Sequence, residues 1–311
     1  MKNISRDILF GVAIGDALGV PVEFEDRQSR VIDPVVNMRG YGTYAVPAGT
    51  FSDDASMTFC TAESLAKGYS LVHMGHQFAN WAYQSFWTAT GSVFDIGITT
   101  SNALRRFIKD HDPTKSGAID EGANGNGSLM RILPLVTIML KRPIEERWEM
   151  TKAVSSITHA HIRSVISCFI YLEYARQLVM GREKAAALAA VQKDVRFFLP
   201  SVGIDSNEVE RFERILSQDF ANIPQEKIFS SGYCVHTLEA AIWCVLSHDN
   251  YSDTVLRAVN MGSDTDTTAA VAGGLAGLLY GADSIPAEWM TVLARREDIE
   301  DLAERLYANV G

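Results

Sequence analysis

Apolar residues recur at three- and four-residue spacing along most of the chain, and polar residues fill the positions between. That period predicts amphipathic helices over 54–67, 70–86, 93–109, 144–157, 162–180 and 182–197. Further helical tracts are predicted at 207–217, 234–247, 252–261, 266–280 and 296–308. Leu, Ala, Met, Glu, Lys and Arg dominate these tracts, and all favour helix. Alternating strand patterns are nearly absent. Val31 to Thr50 is the longest stretch expected to be non-helical, broken by Pro34, Gly40, Gly42, Pro47 and Gly49. A second loop is expected from Asp110 to Asn126. Neither is long, polar and repetitive enough to be an interdomain linker. The pattern predicts an all-α fold, a single large compact multi-helix domain over residues 1–311.

One predicted helix breaks the ordinary pattern. Gly11, Gly15 and Gly19 fall four apart, on one face of the first helix. Each weakens the helix by up to about 1 kcal/mol relative to alanine. A smooth stripe of this kind predicts close approach of another backbone. Asp16 sits within it and Glu23 follows it, and a carboxylate among packed apolar residues needs a compensating partner.

Composition narrows the class. Lys and Arg number 28 against 38 Asp and Glu, a net charge of −10, which disfavours broad binding to nucleic-acid phosphates. The four cysteines, Cys60, Cys168, Cys234 and Cys244, form no Cys-x-x-Cys pair and are too few for a disulfide scaffold. The apolar run Ile8 to Ile14 is too short to span a bilayer, and no membrane association is expected. The chain reads as cytoplasmic.

The acids are not spread evenly. Ser52-Asp53-Asp54 and Asp264-Thr265-Asp266-Thr267 both follow a glycine-containing turn and both open a helix of small and apolar residues. Either segment alone reads as helix capping. Together they also suit hard divalent cations, which take clustered oxygen ligands. Zinc, with its nitrogen and sulfur preference, does not fit. Two such ions would serve a two-metal phosphoester or pyrophosphate hydrolase as well as a glycosidase.

Between them lies Gly122-Ala123-Asn124-Gly125-Asn126-Gly127-Ser128-Leu129-Met130-Arg131, a glycine-rich turn expected to run into an apolar helix. Such a turn can hold a phosphate on its N–H groups or be a plain turn; it is not a Walker loop. Thr158-His159-Ala160-His161 offers a close histidine pair, as polar caps or, for His159, a ligand contact. Trp81, Tyr83, Phe86 and Trp87 read as a core face, with an aromatic exit for a cationic group as the alternative.

Gly11 to Phe24, Ser52-Asp53-Asp54, Gly125 to Arg131, Thr158-His159 and Asp264 to Thr267 follow the order found in ADP-ribosylglycohydrolases, and the chain resembles that family over nearly its whole length. The resemblance implies two divalent cations, Mg2+ or Mn2+, with Ser52, Asp53, Asp54, Asp264, Asp266 and Thr267 as metal ligands. It implies catalytic roles for Glu23, Asp53 and Asp266. Asn124, Gly125, Asn126, Gly127, Ser128 and His159 would bind substrate. The implied reaction removes ADP-ribose from a modified protein side chain, arginine-linked first, with metal-bound water attacking the anomeric carbon. The implied partners are the ADP-ribosylated protein and a cognate ADP-ribosyltransferase or toxin. A catalytically weakened ADP-ribose-binding protein and a toxin-blocking immunity protein remain as alternatives. Two departures stand out. Ser52 and Ala55 occupy positions where the family usually has threonine, and Ser263 stands where a second glycine is common.

Overall fold

The computed structural model describes residues 3–310, so both ends of the expected 1–311 span lie outside the described residues. The chain begins with α1 (Ile4–Gly19), α2 (Arg27–Ile32), α3 (Asp53–Ala66), α4 (Leu71–Gln84) and α5 (Ile98–Asp110). The middle contains α6 (Val136–Met139), α7 (Ile144–Ser155), α8 (Ile162–Val179), α9 (Lys184–Ser201), α10 (Ser206–Glu210) and α11 (Glu213–Leu216). It ends with α12 (Cys234–Ser247), α13 (Tyr251–Val259), α14 (Thr265–Tyr280), α15 (Ala287–Val292) and α16 (Arg296–Val310). Among the described residues no strand forms; only isolated bridges do, including Ala118 to His159 and Gly125 to Tyr233. No helix among them is long and apolar enough to cross a membrane.

The centre is a pair of antiparallel helices. α1 is apolar on all sides, and Ile8, Leu9, Phe10, Val12, Ala13 and Ile14 are buried. Such a helix needs neighbours all round. α14 lies along it, with α3, α13 and α16 also in contact. The glycine stripe makes the approach possible. A Cβ at Gly15 would lie 2.1 Å from the Ala269 carbonyl oxygen, and one at Gly19 would lie 2.3 Å from the Asp266 Cα. In return, a Cβ at Gly273 would meet the Gly11 carbonyl oxygen at 2.3 Å. Gly19 therefore brings the C-terminal end of α1 against the first turn of α14. The close crossing expected from the stripe is present, and it sets where Asp266 stands.

The expected helix over 93–109 is shorter. Asp95 has φ +59°, and helix begins only at Ile98. The apolar helix expected after Gly127 is absent. Pro134 has no N–H to close onto the Met130 carbonyl, and the Thr58 hydroxyl donates to that carbonyl instead at 3.2 Å. Turns carry the chain to Leu133, and the short α6 follows. The 207–217 tract splits into α10 and α11, because hydrogen bonds tighten to three-residue spacing at Arg211 and Phe212. Trp81 and Trp87 are core residues, while Tyr83 is half exposed. All four cysteines are buried and unpaired.

Candidate active site

The N-termini of α3 and α14 meet. Carboxylate oxygens of Asp16, Asp54 and Asp266 lie within 4.8 Å of one another, and so do those of Glu23, Asp95 and Asp266. Asp266 belongs to both groups. The Thr267 hydroxyl reaches Asp54 Oδ2 at 3.3 Å, although the two residues lie far apart in sequence. The Ser52 hydroxyl donates to the same oxygen at 3.1 Å and caps α3 by accepting from the Asp54 N–H. Capping thus explains Ser52 but not the acids. Asp264, in the cap position of α14, makes no capping bond with its side chain; its Oδ2 accepts from Asn126 at 2.8 Å.

Asp16 finds the partners its burial demands. It accepts N–H bonds from Ser52 at 2.8 and 3.0 Å and from Ala55 at 2.9 Å, tying α1 to the start of α3. Ala55 contributes here through its backbone, so this bond does not need a side-chain hydroxyl. Glu23 leaves the short helical turn after α1. Its Oε2 accepts from the Tyr44 hydroxyl at 2.7 Å, and that hydroxyl is also 2.7 Å from Asp95 Oδ1. The Glu23 segment is locked to the Asp264 segment by paired backbone bonds. Phe24 N–H donates to the Ser263 carbonyl at 2.7 Å, and Ser263 N–H donates to the Glu25 carbonyl at 2.6 Å. Phe24 and Ser263 both have φ +66°.

Packing this many acids together raises their proton affinities. Burial, followed by neighbouring acids, pushes Asp53, Asp54 and Asp266 well above the usual range. Burial lifts Asp16 to about 7, against N–H bonds that lower it. Burial and the charge of Asp95 lift Glu23 to about 8. Three buried oxygens, Asp54 Oδ1, Asp264 Oδ1 and Asp266 Oδ2, have no hydrogen-bond partner among the described residues. Oxygen-only donors, mutual repulsion and unused buried lone pairs suit divalent cations of the Mg2+ or Mn2+ kind.

The glycine-rich turn borders Asp264 through Asn126. Its backbone is held by Asn126 N–H donating to the Gly232 carbonyl and Cys234 N–H donating to the Asn124 carbonyl, each at 3.0 Å. Asn124 and Ser128 turn inward: the Asn124 amide donates to the Glu121 carbonyl at 2.7 Å, and the Ser128 hydroxyl lies 2.9 Å from the Ser155 hydroxyl. Gly125 and Gly127 face His159, whose Cε1 would be 2.8 Å from a Cβ on Gly127. His161 caps α8, accepting from Arg163 N–H at 3.2 Å. The structure therefore gathers Glu23, Asp53, Asp54, Asp264, Asp266 and Thr267 at one end of the α1–α14 pair, and Gly125, Gly127 and His159 beside Asn126. It adds Asp16, Asp95 and Tyr44. Asp16 carried a sequence signal in its glycine setting, whereas Tyr44 sits in the stretch expected to be non-helical and Asp95 was expected inside the helix over 93–109, which begins only at Ile98. At the opposite end of the pair, a cavity of about 950 Å3 is lined mainly by apolar side chains, including Ile4, Leu140, Leu178 and Leu279, and has no acidic cluster.

An all-helical frame built round two acidic helix starts defines a narrow class. A sequence profile of the ADP-ribosylglycohydrolases matches residues 2–311, and the chain belongs to that family. It is 32% identical over 307 residues to ADP-ribosylarginine hydrolase Tri1 of Serratia proteamaculans (strain 568), covering 97% of this chain and 78% of that protein. It is 30% identical over 297 residues to the ADP-ribosyl-[dinitrogen reductase] glycohydrolase of Rhodospirillum rubrum, covering 93% and 90% of the two chains. A solved structure described as an ADP-ribosylglycohydrolase-related protein complex superposes with a TM-score of 0.81 at 29% identity, covering 99% of both chains.

Proposed function

We propose that this protein is a metal-dependent hydrolase that releases ADP-ribose from modified arginine side chains of proteins. The convergence of Asp54 and Asp266, each with a buried unpartnered oxygen, carries this reading. The names of the Serratia and Rhodospirillum relatives support the substrate class, and the Serratia relative's name supports the arginine linkage. The partner is then the ADP-ribosylated protein, with the transferase that modified it acting upstream.

The two carboxylate groups sharing Asp266 suit a pair of Mg2+ or Mn2+ ions. Asp16, Asp54 and Asp266 would hold one, and Glu23, Asp95 and Asp266 would face the other. Ser52, Thr267, Asp53 and Asp264 would offer further oxygens to them. Bound cations of this kind lower the pKa of water and orient ribose hydroxyls.

Hydrolysis joins a water oxygen to C1″ and breaks the C1″–N bond, with oxocarbenium-like charge at C1″ on the way. With cations offsetting the repulsion among the acids, an ionised Glu23 would take the water proton and pass it to the departing guanidine nitrogen. Tyr44 holds Glu23 Oε2 in place for that transfer. Asp53 and Asp266 add negative charge facing the cationic anomeric centre. The Gly125 to Ser128 turn and His159 take the ribose and diphosphate.

The direct test is metal-dependent release of free ADP-ribose from an arginine-modified protein, run beside a serine-modified one. Release from the arginine linkage, abolished by Asp266→Asn, supports the reading. AMP as product would point to a pyrophosphate hydrolase. Binding of ADP-ribose without turnover would point to a binding protein, and toxin protection surviving Asp266→Asn would point to an immunity role by blocking.

A further inference from the structure

Arg131 is buried, and among the described residues no carboxylate pairs with it. Its Nε and Nη1 have no hydrogen-bond partner among the described residues, and its guanidinium lies 4.3 Å from the centre of the Phe78 ring. Its polar contacts are made through Nη2, to the Thr158 hydroxyl at 2.8 Å and the Val154 carbonyl at 3.4 Å. The Thr158 oxygen is also 2.9 Å from His159 Nδ1.

The direction of this chain follows from donor and acceptor counting. A guanidinium can only donate, so the Thr158 oxygen accepts from Arg131. Among the described residues the Thr158 proton then has one partner in reach, His159 Nδ1. Acceptance by Nδ1 leaves no buried hydroxyl proton unpaired, and in a neutral ring the remaining proton is then on Nε2. The nearby positive charge of Arg131 also favours a lone pair on the nearer ring nitrogen. Nε2 makes no hydrogen bond to the described chain and sits beside Gly125 and Gly127, 3.7 Å from where a Cβ on Gly125 would be. The ring is held still as well. His159 N–H donates to the Ser155 carbonyl at 2.9 Å, and the Ser155 hydroxyl donates to the His159 carbonyl at 2.9 Å.

We infer that Arg131 and Thr158 are positioning residues that hold His159 in its Nε2–H form, so that a neutral imidazole presents a donor N–H to an oxygen of an anionic ligand at the glycine-rich turn. The ligand half of this inference rests on the proposed function; the state of the ring does not. Burial and the charge of Arg131 independently push the His159 pKa down to about 3, which keeps the ring neutral. In the opposite tautomer, Nε2 would present a lone pair to the ligand and repel its oxygens.

The test uses the full chain labelled with nitrogen-15 in histidine, with His159→Gln assigning the signal. At pH 7 the His159 ring should show a protonated Nε2 and an unprotonated Nδ1. Thr158→Val should mix the tautomers and weaken ADP-ribose binding by about tenfold. Thr158→Ser should restore both, which a packing defect would not allow. A protonated Nδ1 or a doubly protonated ring in the unmutated chain overturns the inference. So does a Thr158→Val protein that keeps the unmutated tautomer and affinity. If the ring is Nε2–H but the unmutated chain fails to bind ADP-ribose, the tautomer assignment stands and the proposed function falls.

Discussion

Two regions meet at Asn126, and they are opposite in sign. On one side Asp54, Asp264 and Asp266 keep unpartnered buried oxygens; on the other Arg131 keeps two unpartnered buried nitrogens. Each is costly to the free chain, because an isolated buried charge loses its hydration. Their chemistry differs in reach. The acidic side presents atoms that can touch a cation directly. The basic side keeps its charge enclosed and transmits it through Thr158 to one ring nitrogen. A ligand with a cationic reacting centre and an anionic tail matches both halves.

The comparison breaks most strongly at Asp266, which both carboxylate groups share. Asp266→Asn should reduce kcat by about 10² to 10³-fold while leaving the His159 ring signals in place. An unchanged kcat would show that the acidic side is not the reacting centre.

A fold-level change comes next. Gly15→Ala drives a methyl against the Ala269 carbonyl, which belongs to a packed backbone and cannot step aside. It should lower stability by about 2 kcal/mol even after the helix-propensity gain of alanine. Chemical denaturation measures this, and equal midpoints for the two proteins would refute the clasp.

Acidity probes the same half without mutation. Folded-state carboxyls raised above their unfolded values bind protons more tightly in the native chain, so stability is full at low pH and lost as pH rises through the folded values. For Asp16 and Glu23 that window runs from their ordinary values near 4 up to about 7 and about 8. The cation-free chain should therefore melt at progressively lower temperature between pH 5 and pH 8 in thermal scans, on the order of 5 °C in all. If the acidic cluster holds cations as proposed, excess Mg2+ or Mn2+ should flatten that slope, since a ligand that binds only the folded chain stabilises it. A cation-free melting temperature that rises over this range would contradict the acidic cluster.

Tyr44→Phe removes the hydroxyl between Glu23 and Asp95 but keeps the ring, which packs 4.9 Å from Phe94. About a tenfold fall in kcat with little change in KM is expected. A change confined to KM would mean that Tyr44 serves binding rather than proton transfer. The smallest effect belongs to Ser263, a side chain in left-handed backbone at φ +66°. Ser263→Gly relieves that strain and should stabilise the chain by about 1 kcal/mol without changing turnover. A loss of stability would mean that the serine side chain contributes there.

Much of this was legible in the linear chain. Helical periodicity located most of the long helices, because burial of one face imposes its own spacing on the residues. The glycine stripe foretold a close crossing, and the two acidic helix starts announced themselves through residue type. Tyr44 had no such mark, and Asp95 fell inside the tract 93–109 whose period predicted helix. They lie in loops whose course depends on left-handed turns at Tyr41, Ala45 and Asp95, and no period reports where a loop goes. Likewise, Arg131 looked like the last residue of a motif, not a buried cation.

The sequence by itself determined an all-helical protein, the positions of its glycine-rich face and the two stretches rich in oxygen ligands, because these are local properties of spacing and side-chain chemistry. Only the tertiary structure decided that Asp54 and Asp266 share one site and that Asp16 and Asp95 join them. It also decided that the charge of Arg131 reaches His159 through Thr158. Contacts across such sequence distances depend on how closely backbones pack, and Gly15 and Gly19 set that distance against α14.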